Sequence, residues 1–348
     1  MSRKENARIA ADTLAVLQAG FYESPRDGSR VEIAADVAAS VAANQLFTPA
    51  DLAPARTARF APSRTYETEI LVAPAFTLEA ARYAARAHAQ DDHEPRVAVL
   101  NFASARNPGG GFLRGAMAQE ESVARSSSLY LALTAPSSEP YYRSNAYEKT
   151  CVYTHHIIYT PRVVVFRNDA GHLLHRPYQV DVITAPAVNA GEALKRTSAA
   201  TVESTMRERI RRVLAVARMQ HVSVLVLGAF GCGVFRNEPR TVASMFGAFL
   251  SGEVSIHLSN RLISAAVAHS LPLPQYANVF KKVIFAIPSG RDNNLPSFAA
   301  VLRCQSAPLP DADSSDDDDE QGHDTDDTQQ QQEEEEQDAI ATTTSTSE

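Results

Sequence analysis

Six short runs rich in branched aliphatic residues recur along the chain, with helical stretches between them. They are residues 96–102 (RVAVLNF), 156–159, 163–166, 178–184 (YQVDVIT), 222–227 (VSVLVL) and 282–287 (KVIFAI). Valine and isoleucine at consecutive positions mark strands buried on both faces, and such strands need helices above and below the sheet. Helical periodicity is expected over residues 3–18, 31–44, 77–89, 190–219 and 238–250. The predicted fold class is therefore α/β, a three-layer α/β/α sandwich around a mixed sheet.

The 348 residues are 44% hydrophobic, enough for one large core. No apolar run is long enough to cross a membrane, and the first twenty residues, MSRKENARIAADTLAVLQAG, lack the apolar stretch of a secretory signal, so neither a membrane nor a secreted chain is expected. Cys151, Cys232 and Cys304 cannot build a paired disulfide framework and lack the CxxC pairs of a zinc site, which favours a reducing nuclear or cytoplasmic compartment. The net charge of −8 is unevenly spread. Residues 311–348 hold 16 acidic side chains and no Lys or Arg, leaving 33 basic against 25 acidic ones in the rest. Residues 309–348 read as a disordered acidic tail, either a solubilising spacer or an arm toward basic partners. The simplest partition is an N-terminal helical extension packed on the core (1–90), a catalytic core (91–308) and the tail (309–348). Residues 289–305 read as a loop.

In open α/β sheets, ligands bind beyond the carboxyl ends of the strands, and two such exits are rich in glycine. The first, NFASARNPGGGFLRGAMAQEES (101–122), places Gly109, Gly110 and Gly111 seven residues before Gln119, Glu120 and Glu121, which open a helix. Three successive glycines allow positive φ and a close approach of backbone to ligand; a tight strand-to-helix turn would need fewer. Consecutive helical residues point about 100° apart, so the two carboxylates are expected to face different parts of one ligand. A carboxyl group that donates a proton needs a raised pKa, whereas a helix N-terminus lowers it, so burial must win if Glu121 is an acid. The plainer alternative is a pair of helix-starting glutamates favoured by the macrodipole.

The second exit, VSVLVLGAFGCGVFRN (222–237), carries Gly228, Gly231 and Gly233. Its G-x-x-G-x-G order is neither the dinucleotide fingerprint nor a triphosphate loop, but backbone amides at a glycine-rich turn before a helix can cradle a phosphate. Phe230 and Phe235 could stack on a base or ribose, or belong to the core. Cys232 is better explained as a small packing residue than as a nucleophile, because no base lies nearby in sequence. Cys151, His155 and His156 do not suggest a metal, since adjacent histidines in a strand point to opposite faces. No metal and no cofactor are expected.

The string GGG-x7-QEE, preceded by NFASARNP, resembles the signature of the poly(ADP-ribose) glycohydrolases. With YTPRVVVFRNDAG, VDVITAPAVNAG and LGAFGCGVFRN, the chain resembles their microbial-type (bacterial and fungal) branch from residue 96 to 288. The resemblance implies a macrodomain fold built to hold ADP-ribose. It implies that Gly109 to Gly111, with Asn107, form a catalytic loop against the distal ribose and diphosphate. Glu121 would protonate the leaving oxygen, while Glu120 and Gln119 would orient the ribose hydroxyls and the acid. The loop spanning Gly228, Phe230, Gly231, Cys232, Gly233, Val234 and Phe235 would hold the diphosphate, with Phe235 packing on the ribose. The implied activity is hydrolysis of ribose–ribose bonds in poly(ADP-ribose), exo-acting and releasing ADP-ribose. The competing readings are a macrodomain that binds ADP-ribose without cleaving it and a hydrolase of single ADP-ribose groups. The expected partner is poly(ADP-ribose) or an ADP-ribosylated protein, with no sequence-specific nucleic-acid or membrane binding, and the expected state is a monomer.

Overall fold

The computed structural model describes residues 1–57, 66–87, 96–251, 275–290, 292–304 and 306–309. A small hairpin, β1 (Phe21–Glu23) and β2 (Arg30–Glu32), precedes the main sheet. The main strands are β3 (Gln45–Phe47), β4 (Glu69–Ala73), β5 (Val97–Phe102), β6 (Ile157–Arg167), β7 (Leu173–Ala185), β8 (Val224–Leu227) and β9 (Lys282–Ala286). They form one seven-stranded sheet in the order β3–β6–β7–β5–β8–β9–β4. Strands β7, β5, β8, β9 and β4 are mutually parallel, and β6 pairs antiparallel with both β7 and β3. The sheet is thus mixed, as expected.

The helices are α1 (Arg3–Ala19), α2 (Ala34–Ala42), α3 (Pro54–Thr57), α4 (Thr77–Ala87), α5 (Gln119–Ser126), α6 (Leu129–Leu133) and α7 (Glu139–Ala146), then α8 (Ala190–Ala193), α9 (Ala199–Met219), α10 (Pro239–Leu250) and α11 (Asn294–Leu302). Successive residues of a strand point to opposite faces, and the core divides accordingly. Val224 and Val226 of β8 pack with Leu78 and Ala81 of α4, Val123 of α5, Leu129 and Leu133 of α6 and Tyr141 of α7. Leu225 and Leu227 pack on the other face with Met206 and Ile210 of α9, Val242 and Phe246 of α10 and Phe298 of α11. Helices on both faces make the three layers.

Several boundaries differ from the sequence reading. The two strands expected at 156–159 and 163–166 are one strand, β6, which passes through Pro161 with a register shift between Thr160 and Val163 and Arg162 at φ +52. Within a central strand such as β6, flanked on both sides, a bulge is where proline can be accommodated. The first 90 residues are more than a helical extension: they supply both edge strands of the sheet, β3 and β4. These edges are short, and three-residue β3 shows no alternation that a sequence pattern could register. The helix expected at 31–44 is split into β2 and α2, and that at 190–219 into α8 and α9, where Ser198 caps α9 by accepting the Thr201 N–H. The loop expected at 289–305 contains α11; Pro296 falls in its first turn, where a missing N–H costs little. Beyond Leu309 the expected acidic tail lies outside the described residues.

Helix α1 braces the glycine-rich exit of β5. Arg3 Nε donates to the Arg114 carbonyl at 3.1 Å, and Thr13 Oγ1 donates to the Arg125 carbonyl in α5.

Candidate active site

The carboxyl end of β5 leads through the three glycines into α5, whose first residues are Gln119, Glu120 and Glu121. Gln119 fixes the start of this helix. Its Oε1 accepts the Phe102 N–H at 2.8 Å, and its Nε2 donates to the Leu100 carbonyl at 2.8 Å and to Thr77 Oγ1 at 3.2 Å. The amide completes the backbone ladder at the end of β5 and ties α5 to the start of α4. The amide is committed to the protein, where it holds in place the helix that carries both glutamates.

Glu120 is buried, with Oε2 accepting the Ser104 N–H at 2.7 Å and Oε1 lying 3.5 Å from Asn101 Nδ2. Burial pushes its carboxyl up to about 8, and the neighbouring Glu121 adds to the rise. Glu121 Oε1 accepts the Gly111 N–H at 2.9 Å. Gly110 has φ +60, and a methyl group there would lie 2.3 Å from Glu121 Oε1 and 3.0 Å from Glu120 Oε2. The two carboxyl groups thus converge on one glycine instead of facing different regions, because burial turns Glu120 beneath the loop toward Ser104.

Above this glycine opens a cleft of about 740 Å³. Arg106, Asn107, Gly110, Gly111, Gln119, Glu120 and Glu121 line it from the β5 exit, and Gly231, Gly233, Val234 and Phe235 line it from the β8 exit. A methyl group on Gly233 would meet nothing within 4 Å, whereas Gly231, at φ +73, sits 2.5 Å by the same measure from Ala187 Cβ. Phe235 is half-buried with its ring 6.2 Å from that of Tyr153. The other expected members lie elsewhere. Phe230 is fully buried, 5.5 Å between centroids from Phe102, and is a core residue. Cys232 is off the wall, with its thiol toward the Phe230 carbonyl and its pKa pushed up by burial. Gly228 lets β8 leave beside the Ala286 carbonyl, and Gly109 packs against Phe112 and Tyr130.

The helix N-terminus expected to hold a phosphate is already occupied. Glu238 caps α10, accepting the Arg240 and Thr241 N–H groups at 3.0 and 2.5 Å. Any anion site in this exit belongs to the loop backbone before the helix. His155 and His156 precede β6 rather than lying in it. His155 Nδ1 accepts from Arg209 Nε at 2.9 Å, His156 Nδ1 pairs with Thr154 Oγ1 at 2.9 Å, and burial pushes His155 down to about 3. Among the described residues no three His, Cys, Asp or Glu side chains are grouped to hold a metal.

The cleft also takes in residues to which the sequence assigned no role: Tyr153, Arg106, Phe76, Thr77 and Asp169. Asp169 Oδ2 accepts the Glu79 N–H at 2.9 Å, and burial pushes its carboxyl up to about 6. Only its place in the YTPRVVVFRNDAG block could have drawn attention to it.

A group of solved bacterial enzymes shares this chain's fold and more than a third of its sequence. The family model described as microbial-type PARG, catalytic domain, matches residues 10–168. The poly(ADP-ribose) glycohydrolase of Thermomonospora curvata bound to the inhibitor ADP-HPD is 36% identical, with a TM-score of 0.71, covering 85% of this chain and 99% of that one. The enzyme of Deinococcus radiodurans in complex with ADP-ribose is 38% identical, with a TM-score of 0.64, covering 77% of this chain and 96% of that one. None of the curated proteins compared matches the chain. The chain belongs to the microbial-type poly(ADP-ribose) glycohydrolase family.

Proposed function

We propose that this protein hydrolyses the ribose–ribose bonds of poly(ADP-ribose), using a macrodomain-type cleft to hold the terminal ADP-ribose unit. The observation that carries the reading is the convergence of Glu120 and Glu121 on Gly110. A glycosidic bond between two riboses needs a protonated leaving oxygen and tolerance of an oxocarbenium-like carbon. Gly110, without a side chain, lets the distal ribose settle against both carboxyl groups. Glu121, anchored by the Gly111 N–H, is the acid: its carboxyl proton passes to the departing oxygen as the C1–O bond breaks, and the carboxylate left behind takes a proton from the water whose oxygen bonds to C1, which restores the acid. Glu120, buried and holding a proton at neutral pH, spares the pocket a second negative charge once Glu121 has given up its own proton. The β8 exit, with Gly231, Gly233 and Val234 on the wall, offers backbone to the diphosphate, whose negative charge next to the reacting ribose favours the cationic centre.

Exo cleavage releasing free ADP-ribose, a monomeric state, and no sequence-specific nucleic-acid binding belong to the same proposal. The three cysteines are unpaired, which supports a reducing cytoplasmic or nuclear setting. No helix among the described residues is long and apolar enough to cross a membrane. The test is incubation of the purified protein with long poly(ADP-ribose), following free ADP-ribose with time. ADP-ribose as the main early product, abolished in Glu121→Gln while ADP-ribose still binds, is the expected result. Early oligomers would overturn the exo mode, and full activity in Glu121→Gln would overturn the assignment of the acid.

A further inference from the structure

Tyr153 is held in a conformation that a bulky residue rarely adopts. Its φ is +60, and Cys151, two residues before it, is at φ +64. Strained backbone of this kind persists only where the surroundings dictate it, and it clusters at functional sites. The surroundings here are specific. The Tyr153 N–H donates to Glu148 Oε2 at 3.2 Å. Its carbonyl accepts from Arg209 Nη2 at 3.1 Å, and the same guanidinium takes the carbonyls of Val152 and Pro186. Arg209 is fully buried, so the charged group that fixes this turn is itself fixed.

The result is an aromatic ring delivered to the cleft wall beside Phe235, 6.2 Å between centroids. Arg106 lies on the same wall and is tied to the turn, donating from Nη2 to the Glu148 carbonyl at 3.3 Å. Gln119 and Thr77, by contrast, are bonded to each other elsewhere on the wall. Nothing in the hydrolysis derived above uses Tyr153 or Arg106.

The chemistry of the polymer says what a ring there would meet, and this step rests on the reading of the site as a poly(ADP-ribose) hydrolase. The bond cleaved joins C1 of the held ribose to the 2′-oxygen of the next unit's adenosine. The first base beyond the scissile bond is therefore an adenine, carried on a ribose that leads to a diphosphate. We propose that Tyr153 stacks on the adenine of the leaving ADP-ribose unit and that Arg106 faces its diphosphate. Phe235 on the held ribose and Tyr153 on the next base would then grip the two sides of the bond. The site would select a polymer over a single ADP-ribose group, because only the polymer presents that second base.

The test compares wild type, Tyr153→Ala and Tyr153→Phe on long poly(ADP-ribose), with ADP-ribose affinity measured by calorimetry on the same proteins. Loss of one base–aromatic stack is expected to raise KM for the polymer by about tenfold in Tyr153→Ala. Tyr153→Phe keeps the stacking face and is expected to stay within about twofold of wild type. The Kd for ADP-ribose is expected to move by less than about twofold in both, since that ligand carries no leaving base. An unchanged polymer KM in Tyr153→Ala overturns the proposal. So does a loss of ADP-ribose affinity matching the rise in KM, which would place Tyr153 against the held unit. Failure of the wild type to cleave polymer would instead overturn the underlying reading of the site.

Discussion

Replacing Glu120 by glutamine should make the protein more stable, and increasingly so as the pH rises. The Glu120 carboxyl titrates near 8 in the folded protein against an ordinary value of 4.5, chiefly because it is buried. Between those two values the unfolded chain has released the proton and the folded chain still holds it. Stability therefore falls with rising pH by about 1.4 kcal/mol per unit across this window, and it levels off above pH 8. The contribution is fully present below pH 4.5 and is lost on the way to pH 8. Between pH 5 and pH 7 the loss attributable to this one group is roughly 2 to 3 kcal/mol. Glutamine has the same shape, keeps an oxygen for the Ser104 N–H and does not titrate, so the variant escapes the loss. Titrating groups remote from Glu120 are common to both proteins and cancel in the difference. The assay is urea unfolding of wild type and Glu120→Gln at pH 5, 6, 7 and 8. The difference in unfolding free energy should widen in favour of the variant by roughly 2 to 3 kcal/mol from pH 5 to pH 7. A difference that stays constant with pH would refute the claim that a buried, proton-holding carboxyl lies beneath the glycine loop.

Gly110→Ala should lower kcat/KM by at least about 100-fold with a stability loss of only about 1–3 kcal/mol, because the methyl group falls 2.3 Å from Glu121 Oε1 at φ +60; near-normal turnover would contradict the convergence of the carboxyl groups there. Phe230→Ala should cost about 3–5 kcal/mol in urea unfolding, since the ring is fully buried against Phe102. Phe235→Ala should cost less than about 1.5 kcal/mol and raise KM instead, and similar destabilisation by both would mean that the two rings have been assigned the wrong way round.

The layered fold was legible because β5, β8 and β9 are buried on both faces, and such strands must be written almost entirely in apolar residues. The edge strand β3 was not legible for the converse reason. β3 pairs on one side only, so its three residues need not be apolar on both faces, and nothing distinguishes them from a loop. β6 was cut in two by Pro161, a residue that ends most strands; what rescues it is the bulge at Arg162, together with Ser40 Oγ donating to the Pro161 carbonyl. That support comes from 121 residues away in sequence. No local pattern carries it.

The active site follows the same division between local and distant causes. That the three glycines and the paired glutamates belong together could be read from their spacing, because a strand exit and the helix after it are adjacent in space whatever the rest of the chain does. Which glutamate would turn its carboxyl beneath the loop toward Ser104 could not. The helix N-terminus and the macrodipole act on both alike, and they argue for lowered pKa values. The outcome is decided by Ser104 presenting its N–H to Glu120 beneath the loop, and by Gln119 locking α5 onto β5 at Phe102 and Leu100. Phe230 and Phe235 make the same point. The two rings lie five residues apart in one glycine-rich loop with equal claims on a ligand, and Phe102 on the neighbouring strand draws one of them into the core. Tyr153 had no local signal at all, since its position depends on Arg209 from α9 and Glu148 from the turn after α7. Residues that a loop carries to the ligand can thus be nominated from sequence, but the rotation that selects one of each pair is set by hydrogen bonds and rings from other strands and helices. For that reason the buried carboxyl is the informative one to titrate: its pKa reports on several of those distant contacts at once.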